Sequence, residues 1–244
     1  MQPTDALTVT LVSAQPALTP GRPAMLGLRL VHATGWHSYW INPGDSGLPT
    51  RVRWTLPPGF KADEIAWPAP RRFTVDGLAN FGYDGEVLLP VALEVPANAR
   101  AGDIVHVGVA VKWLVCHEEC VPGDATLALD LPVDSVVAPL DAAFAAARAT
   151  EPESGAWKAS AHDRGDRIEI EVRGADLGTG PLDAFAEQSG VIANAPPRLS
   201  VRDGHALLTF AKSEYFSTAP KALDLVIARP QARAIRVHAI FVPH

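Results

Sequence analysis

Two cysteines occur in the 244 residues, Cys116 and Cys120, set four positions apart in Trp113-Leu114-Val115-Cys116-His117-Glu118-Glu119-Cys120-Val121-Pro122-Gly123-Asp124. A thiol pair this close can exchange with another disulfide, clip a loop, or hold a soft metal. Strand-like runs flank it on both sides, which places it at a hairpin tip, rigidly held yet open to a partner. There an i, i+4 pair can meet the Cα separation of roughly 4.4–6.8 Å that a disulfide requires. As a clip it would be weak: closing a loop of about five residues is worth ~2 kcal/mol, against nearly 5 kcal/mol for a loop of ~100 residues. As a switch it is better placed, because both thiols stay together after reduction. Cys116, His117 and Cys120 also form a soft donor set suited to Cu(I). A closed zinc site would need a fourth ligand that this segment lacks. Glu118 and Glu119 put negative charge beside the thiols and disfavour free thiolate. Such a pair works best against a partner whose docking changes its surroundings.

Other side chains bear on the same chemistry. Trp36, Tyr39 and Trp40 alternate along a β-prone run, so some face the core while Trp36 or Tyr39 can line a thiol pocket. His37 reads as a solvated loop histidine. His117 does too, although its place beside Cys116 lets it influence thiol ionisation. Phe81 and Tyr83 follow a Gly- and Pro-rich stretch without strand periodicity, which predicts a loop. Asp45 and Ser46 suit a turn cap, and Arg71-Arg72 a wet loop.

The elements that must position these residues are mostly strands. Twenty-two prolines and 19 glycines punctuate the chain and favour short strands over long helices. Leu7-Val9-Leu11 and Met25 to Leu30 alternate in the period of two. In Ile104 to Val115 the odd positions Val105, Val107, Val109, Val111, Trp113 and Val115 form one apolar face. Residues 42–47 read as a turn cluster and 66–85 as irregular. About seven or eight strands in ~130 residues predict an immunoglobulin-type β-sandwich. Alanine-rich residues 137–149, with Pro139 in the first turn, predict a helical connector. Beyond it come Ile168-Ile170-Val172, a possible short helix over 181–188, and strands at 207–210, 223–228 and 234–242. The expected class is all-β: two immunoglobulin-like sandwiches in tandem, residues 1–134 and 155–244, joined by a helical linker over 135–154.

A net charge of −6 without basic runs argues against nucleic acid as a partner, and no apolar run is long enough to span a bilayer. The N-terminus has no basic, then apolar, leader; an exported protein would have lost its signal peptide.

Four successive motifs give these residues a family likeness: Gly35-Trp36-His37-Ser38-Tyr39-Trp40-Ile41-Asn42-Pro43-Gly44-Asp45, Trp67-Pro68-Ala69-Pro70, Asn80-Phe81-Gly82-Tyr83-Asp84-Gly85-Glu86-Val87, and Trp113 to Cys120. Residues 5–132 resemble the N-terminal periplasmic domain of the DsbD-type transmembrane reductases, most closely the suppressor-of-copper-sensitivity branch, ScsB. The tail from 155 is compatible with the second immunoglobulin-like domain of that branch. The resemblance implies a periplasmic protein-disulfide reductase domain, the soluble region of an inner-membrane protein. It would take electrons from a membrane-embedded reductase domain and pass them to a thioredoxin-fold disulfide protein of the ScsC or DsbC kind, in the service of copper tolerance. It would need no cofactor beyond the cysteine pair. By that analogy Cys120 forms the mixed disulfide and Cys116 resolves it, while Phe81, Gly82 and Tyr83 form a cap loop over the thiols with Gly82 as its pivot. Two departures stand out: the DsbD domain spaces its cysteines more widely, and Ala79-Asn80 replace the acidic pair before its cap aromatic. The alternatives are a Cu(I) module built on Cys116, His117 and Cys120, or a non-catalytic tandem interaction module with a structural disulfide.

Overall fold

A computed structural model describes residues 2–3, 5–136, 141–202, 205–230 and 232–243. In chain order its first strands are β1 (Gln2–Pro3), β2 (Leu7–Ser13), β3 (Ala24–His32), β4 (His37–Gly44), β5 (Arg51–Thr55) and β6 (Lys61–Ile65). They continue with β7 (Arg71–Val75), β8 (Leu78–Asp84), β9 (Glu86–Glu94), β10 (Ile104–Cys116) and β11 (Cys120–Pro132). After α1 (Ala142–Thr150) come β12 (Lys158–Asp163), β13 (Arg167–Arg173), β14 (Asp183–Ala186), β15 (Arg198–Arg202), β16 (His205–Ala211), β17 (Ala222–Arg229) and β18 (Ala232–Phe241). The protein is all-β apart from that one helix among the described residues.

Two compact units emerge. The first holds the chain up to Ile41 with Gly47–Pro68 and Gly82–Ala149; the second holds Asn42–Ser46, Ala69–Phe81 and Thr150 onward. In the first, a five-stranded antiparallel sheet runs β1-β2-β3-β9-β6. Its second sheet includes β11-β10-β4, with β5 also paired to β10. The apolar periodicity decides which faces are buried. Leu7, Val9 and Leu11, then Leu26, Leu28 and Leu30, then Leu89, Val91 and Leu93 are buried from one sheet, and Val105 to Val115 at odd positions from the other. Each fully buried Leu or Val contributes about 1.5–3 kcal/mol relative to exposure, and two such faces make an immunoglobulin-like sandwich.

The even positions of β10 lie on the opposite face, and Cys116 belongs to that set. Its chemistry is therefore mounted on the back of a packed sheet rather than inside the sandwich.

Residues 137–140, including Pro139, lie outside the described residues, so only the second part of the expected helix is described. Asp141 caps it: its Oδ1 accepts from the Ala143 amide at 2.8 Å. Phe144 and Ala147 are buried.

In the second unit one path, β14-β17-β18-β12-β13-β16-β15, includes a parallel β12–β18 pairing. Strands from both parts of this path share one core, with Ile168, Ile170, Leu208 and Phe210 beside Leu223, Leu225, Ile227 and Val237. The sheet therefore folds over on itself. The short helix expected over 181–188 is instead β14, paired antiparallel with β17 through Phe185 and Val226. Ala184, Phe185 and Ala186 are all buried, so packing on both faces overrides their helix propensity. Residues 66–85, read as irregular, contain β7 and β8, and β4 continues to Gly44 inside the expected turn cluster.

Candidate functional site

The hairpin β10–β11 is paired without a slip from Ile104 opposite Pro132 to Cys116 opposite Cys120. A fixed register means that no one-residue shift can turn the sulfurs to the other face. The turn is His117-Glu118-Glu119, closed by the His117 amide donating to the Glu119 carbonyl at 3.1 Å. Cys116 and Cys120 are joined as a disulfide, with Cα atoms 4.1 Å apart. This lies just under the expected range because the two residues face each other directly across the ladder.

The two sulfurs sit in different surroundings. Cys116 is 1% exposed, whereas Cys120 is exposed. The difference comes from β4, which pairs with the tip of β10 through Ser38 opposite Val115 and His37 opposite Cys116. Strand alternation then sends His37 and Tyr39 to the face that carries Cys116, and Ser38 and Trp40 to the other. The Tyr39 hydroxyl donates to Cys116 Sγ at 2.8 Å and lies 3.8 Å from Cys120 Sγ. The His37 ring packs edge-on to the Tyr39 ring, centroids 5.3 Å apart. At Gly47 (φ +101°) an added Cβ would lie 2.1 Å from Cε1 of Tyr39, so only glycine lets the chain cover that ring.

Behind this face Ser38 is tied down. His32 Nδ1 lies 2.8 Å from the Gly85 carbonyl, so Nδ1 carries the proton and Nε2 accepts from the Ser38 hydroxyl, also at 2.8 Å. Burial is the main cause holding the His32 imidazole below its usual range, against the Gly85 carbonyl and Asp84, which act the other way. His37 is lowered chiefly by burial and further by His32 and His117, with Asp84 opposing. Both rings are neutral at physiological pH.

A family model described as "Thiol:disulfide interchange protein DsbD, N-terminal" matches residues 7–132. The chain belongs to the DsbD N-terminal family. No curated protein matches the sequence. Among solved structures, the N-terminal periplasmic domain of ScsB from Proteus mirabilis covers 100% of this chain and 96% of its own, with a TM-score of 0.74 at 21% identity. That likeness gives the fold of the whole chain, including the unit beyond the family match. The sporulation control protein Spo0M from Bacillus subtilis, at a TM-score of 0.27, 10% identity and coverage of 96% and 90%, carries no argument.

Within this DsbD-family domain the residues singled out from the sequence fall into two groups. Tyr39 joins Cys116 and Cys120 directly, and exposed His117 sits in the turn with its ring 6.0 Å from that of Trp36. Phe81, Gly82 and Tyr83 are strand residues of β8, and Phe81 and Tyr83 are 1% and 5% exposed. The loop reading failed because Gly and Pro around β7 and β8 hid two short strands held by pairing. Phe81 packs edge-on to Phe185 at 4.9 Å, and the Tyr83 hydroxyl donates to the Pro68 carbonyl at 2.8 Å. Gly82 is a close-approach residue rather than a pivot: an added Cβ would lie 1.8 Å from the Ser38 carbonyl oxygen.

Arg72 is not in a wet loop. Its guanidinium binds both oxygens of Asp183, at 2.6 and 2.8 Å, donates to the Asn194 carbonyl, and lies over the Phe81 and Phe185 rings. Asp45 and Ser46 do not cap their own turn: Asp45 Oδ2 accepts from the Ala79 amide and the Ser46 hydroxyl donates to Asn80 Oδ1, so both bond to β8, 34 positions away. His37, read as solvated, is 3% exposed. Its position two residues before Tyr39 was the signal that it shares the sulfur face. Among the described residues no group of three or more His, Cys, Asp and Glu is placed to hold a metal ion, and no helix is long and apolar enough to cross a membrane.

Proposed function

We propose that this DsbD-family chain is a periplasmic thiol–disulfide exchange module, with Cys120 as the attacking and attacked sulfur and Cys116 as the resolving one. The observation that carries the reading is the asymmetry of the pair: one sulfur exposed, its partner buried under a tyrosine hydroxyl, both at the end of an unslipped hairpin. A sulfur must be approached in line to be exchanged, and only Cys120 offers that approach.

In the reduced module Cys120 thiolate attacks a sulfur of the partner's disulfide. One partner sulfur leaves as thiolate and a mixed disulfide forms. Cys116 then attacks Cys120 Sγ, the intermolecular bond breaks, and the partner departs as a dithiol while Cys116–Cys120 closes. Recharging runs the same steps in reverse from an electron donor. Tyr39 assists both directions, because its O–H stabilises negative charge on Cys116 Sγ whenever the disulfide opens; hydrogen bonds to charged groups contribute about 1.5–3 kcal/mol. In this account Tyr39 is the shield of Cys116, and Phe81, Gly82 and Tyr83 hold the strand that backs β4.

The family supports a thioredoxin-fold periplasmic protein as electron acceptor and a membrane-embedded reductase domain as donor. The ScsB resemblance extends the proposal to copper tolerance.

The test is trapping. Incubated with an oxidised thioredoxin-fold protein, the Cys116→Ser variant is expected to accumulate a mixed disulfide through Cys120, and Cys120→Ser to form none and transfer no electrons. If both variants transfer electrons as wild type does, the reading fails.

A further inference from the structure

One buried ionisable group beside the sulfur pair has no task in the exchange steps just described. His37 is 3% exposed and is the cross-strand partner of Cys116. Residues opposed in this way hold their Cβ atoms about 4.5–5.5 Å apart on one face. The His37 ring meets the Tyr39 ring edge-on, and Tyr39 in turn donates to Cys116 Sγ. A purely packing role would be served at lower desolvation cost by an apolar ring.

We propose that His37 is the positioning and charge-balancing residue of this centre: its imidazole steadies the Tyr39 ring against Cys116 and takes up the proton that matches the negative charge left on Cys116 Sγ when the disulfide opens. This rests on the exchange reading. In the opening step a partner thiol loses its proton and its sulfur bonds to Cys120 Sγ. The Cys116–Cys120 bond breaks, and its electron pair stays on Cys116 Sγ. The proton from the partner thiol ends on His37, so the buried face gains no net charge. When Cys116 re-attacks Cys120 Sγ, His37 returns that proton to the departing partner sulfur.

The groups facing His37 set the balance. His32 from β3 and His117 from the hairpin turn oppose protonation, as does burial, while Asp84 at the end of β8 favours it. Tyr39 from its own strand meets the ring edge-on, and Cys116 stands opposite across the ladder. A thiolate at the paired position adds the missing negative charge.

The experiment is an NMR pH titration of the His37 ring in wild-type protein, oxidised and reduced. The expected result is a midpoint higher by about one unit in the reduced form, with Cys116→Ser remaining at the oxidised value. An identical midpoint in both redox states overturns the inference. His37→Gln, checked for folding by its melting transition, is expected to slow opening by dithiothreitol about tenfold and to flatten its pH dependence between about pH 6 and 8. A folded variant with the wild-type rate and profile also overturns the inference. Should dithiothreitol fail to open the wild-type disulfide at all, the exchange reading falls and this inference with it.

Discussion

At the scale of single residues the site depends on a hydroxyl and an imidazole on the face of one sulfur, with a second imidazole behind their strand. Tyr39→Phe removes the donor to Cys116 while keeping the ring that Gly47 covers. The expected outcome is a fold as stable as wild type within about 1 kcal/mol and disulfide opening slowed roughly 10- to 100-fold, read by stopped-flow with dithiothreitol. An unchanged rate would remove Tyr39 from the chemistry. His32 and His37 predict an acid-sensitive fold. Both are held below their ordinary range chiefly by burial, so the unfolded chain takes up protons first. Their contribution is complete above about pH 6.5 and is lost as pH falls through the lowered native values. Urea midpoints should therefore drop from pH 7.5 to pH 5, and less so in His32→Gln than in wild type; equal drops would contradict the assignment. The sequence disclosed the cysteines outright, because two thiols four apart have few uses. It disclosed Tyr39 through alternation with Trp40. It placed His37 on the face of Tyr39 by spacing but hid its burial, since a histidine at a strand start looks the same whether a neighbouring strand covers it or water does.

At the scale of elements, long periodic strands were legible and short paired ones were not. β10 declared itself through six apolar residues at odd positions, and with it the back-of-sheet placement of Cys116. The β7–β8 segment has too few residues per strand to show a period, and its glycines read as punctuation. β14 carries Ala184, Phe185 and Ala186, a helix-prone trio whose strand form is imposed by β17. Gly82 in β8 makes the element argument testable. An alanine there meets the Ser38 backbone, which cannot yield as a flexible side chain would. Gly82→Ala is expected to destabilise by at least 2–3 kcal/mol, on the order of other overpacking changes, measured by urea unfolding. It should also raise the accessibility of Cys116 to alkylation after reduction, because β4 is displaced. A neutral variant would mean that β8 does not fix β4.

At the scale of the whole molecule, composition and punctuation indicated an all-β chain with two units. The finer grouping of Asn42–Ser46 and Ala69–Phe81 with the second unit was beyond sequence reasoning, because it depends on Arg72 meeting Asp183 and two phenylalanine rings far along the chain. Arg72→Ala leaves Asp183 without its bidentate partner in a site 15% and 26% exposed, and a loss of about 2–3 kcal/mol in urea unfolding is expected. An effect below about 0.5 kcal/mol would reduce the contact to an ordinary surface pair. The disulfide, by contrast, closes so small a loop that its loss should cost only ~2 kcal/mol, leaving the sandwich standing in both redox states. The most direct test is an equilibrium titration of the intact chain against glutathione, reading thiol content and near-ultraviolet circular dichroism on the same samples. The predicted result is a midpoint within the glutathione range with the aromatic signal of the folded protein retained at both ends. A midpoint far below about −300 mV, or collapse of that signal on reduction, would make Cys116–Cys120 a structural bond and contradict the account.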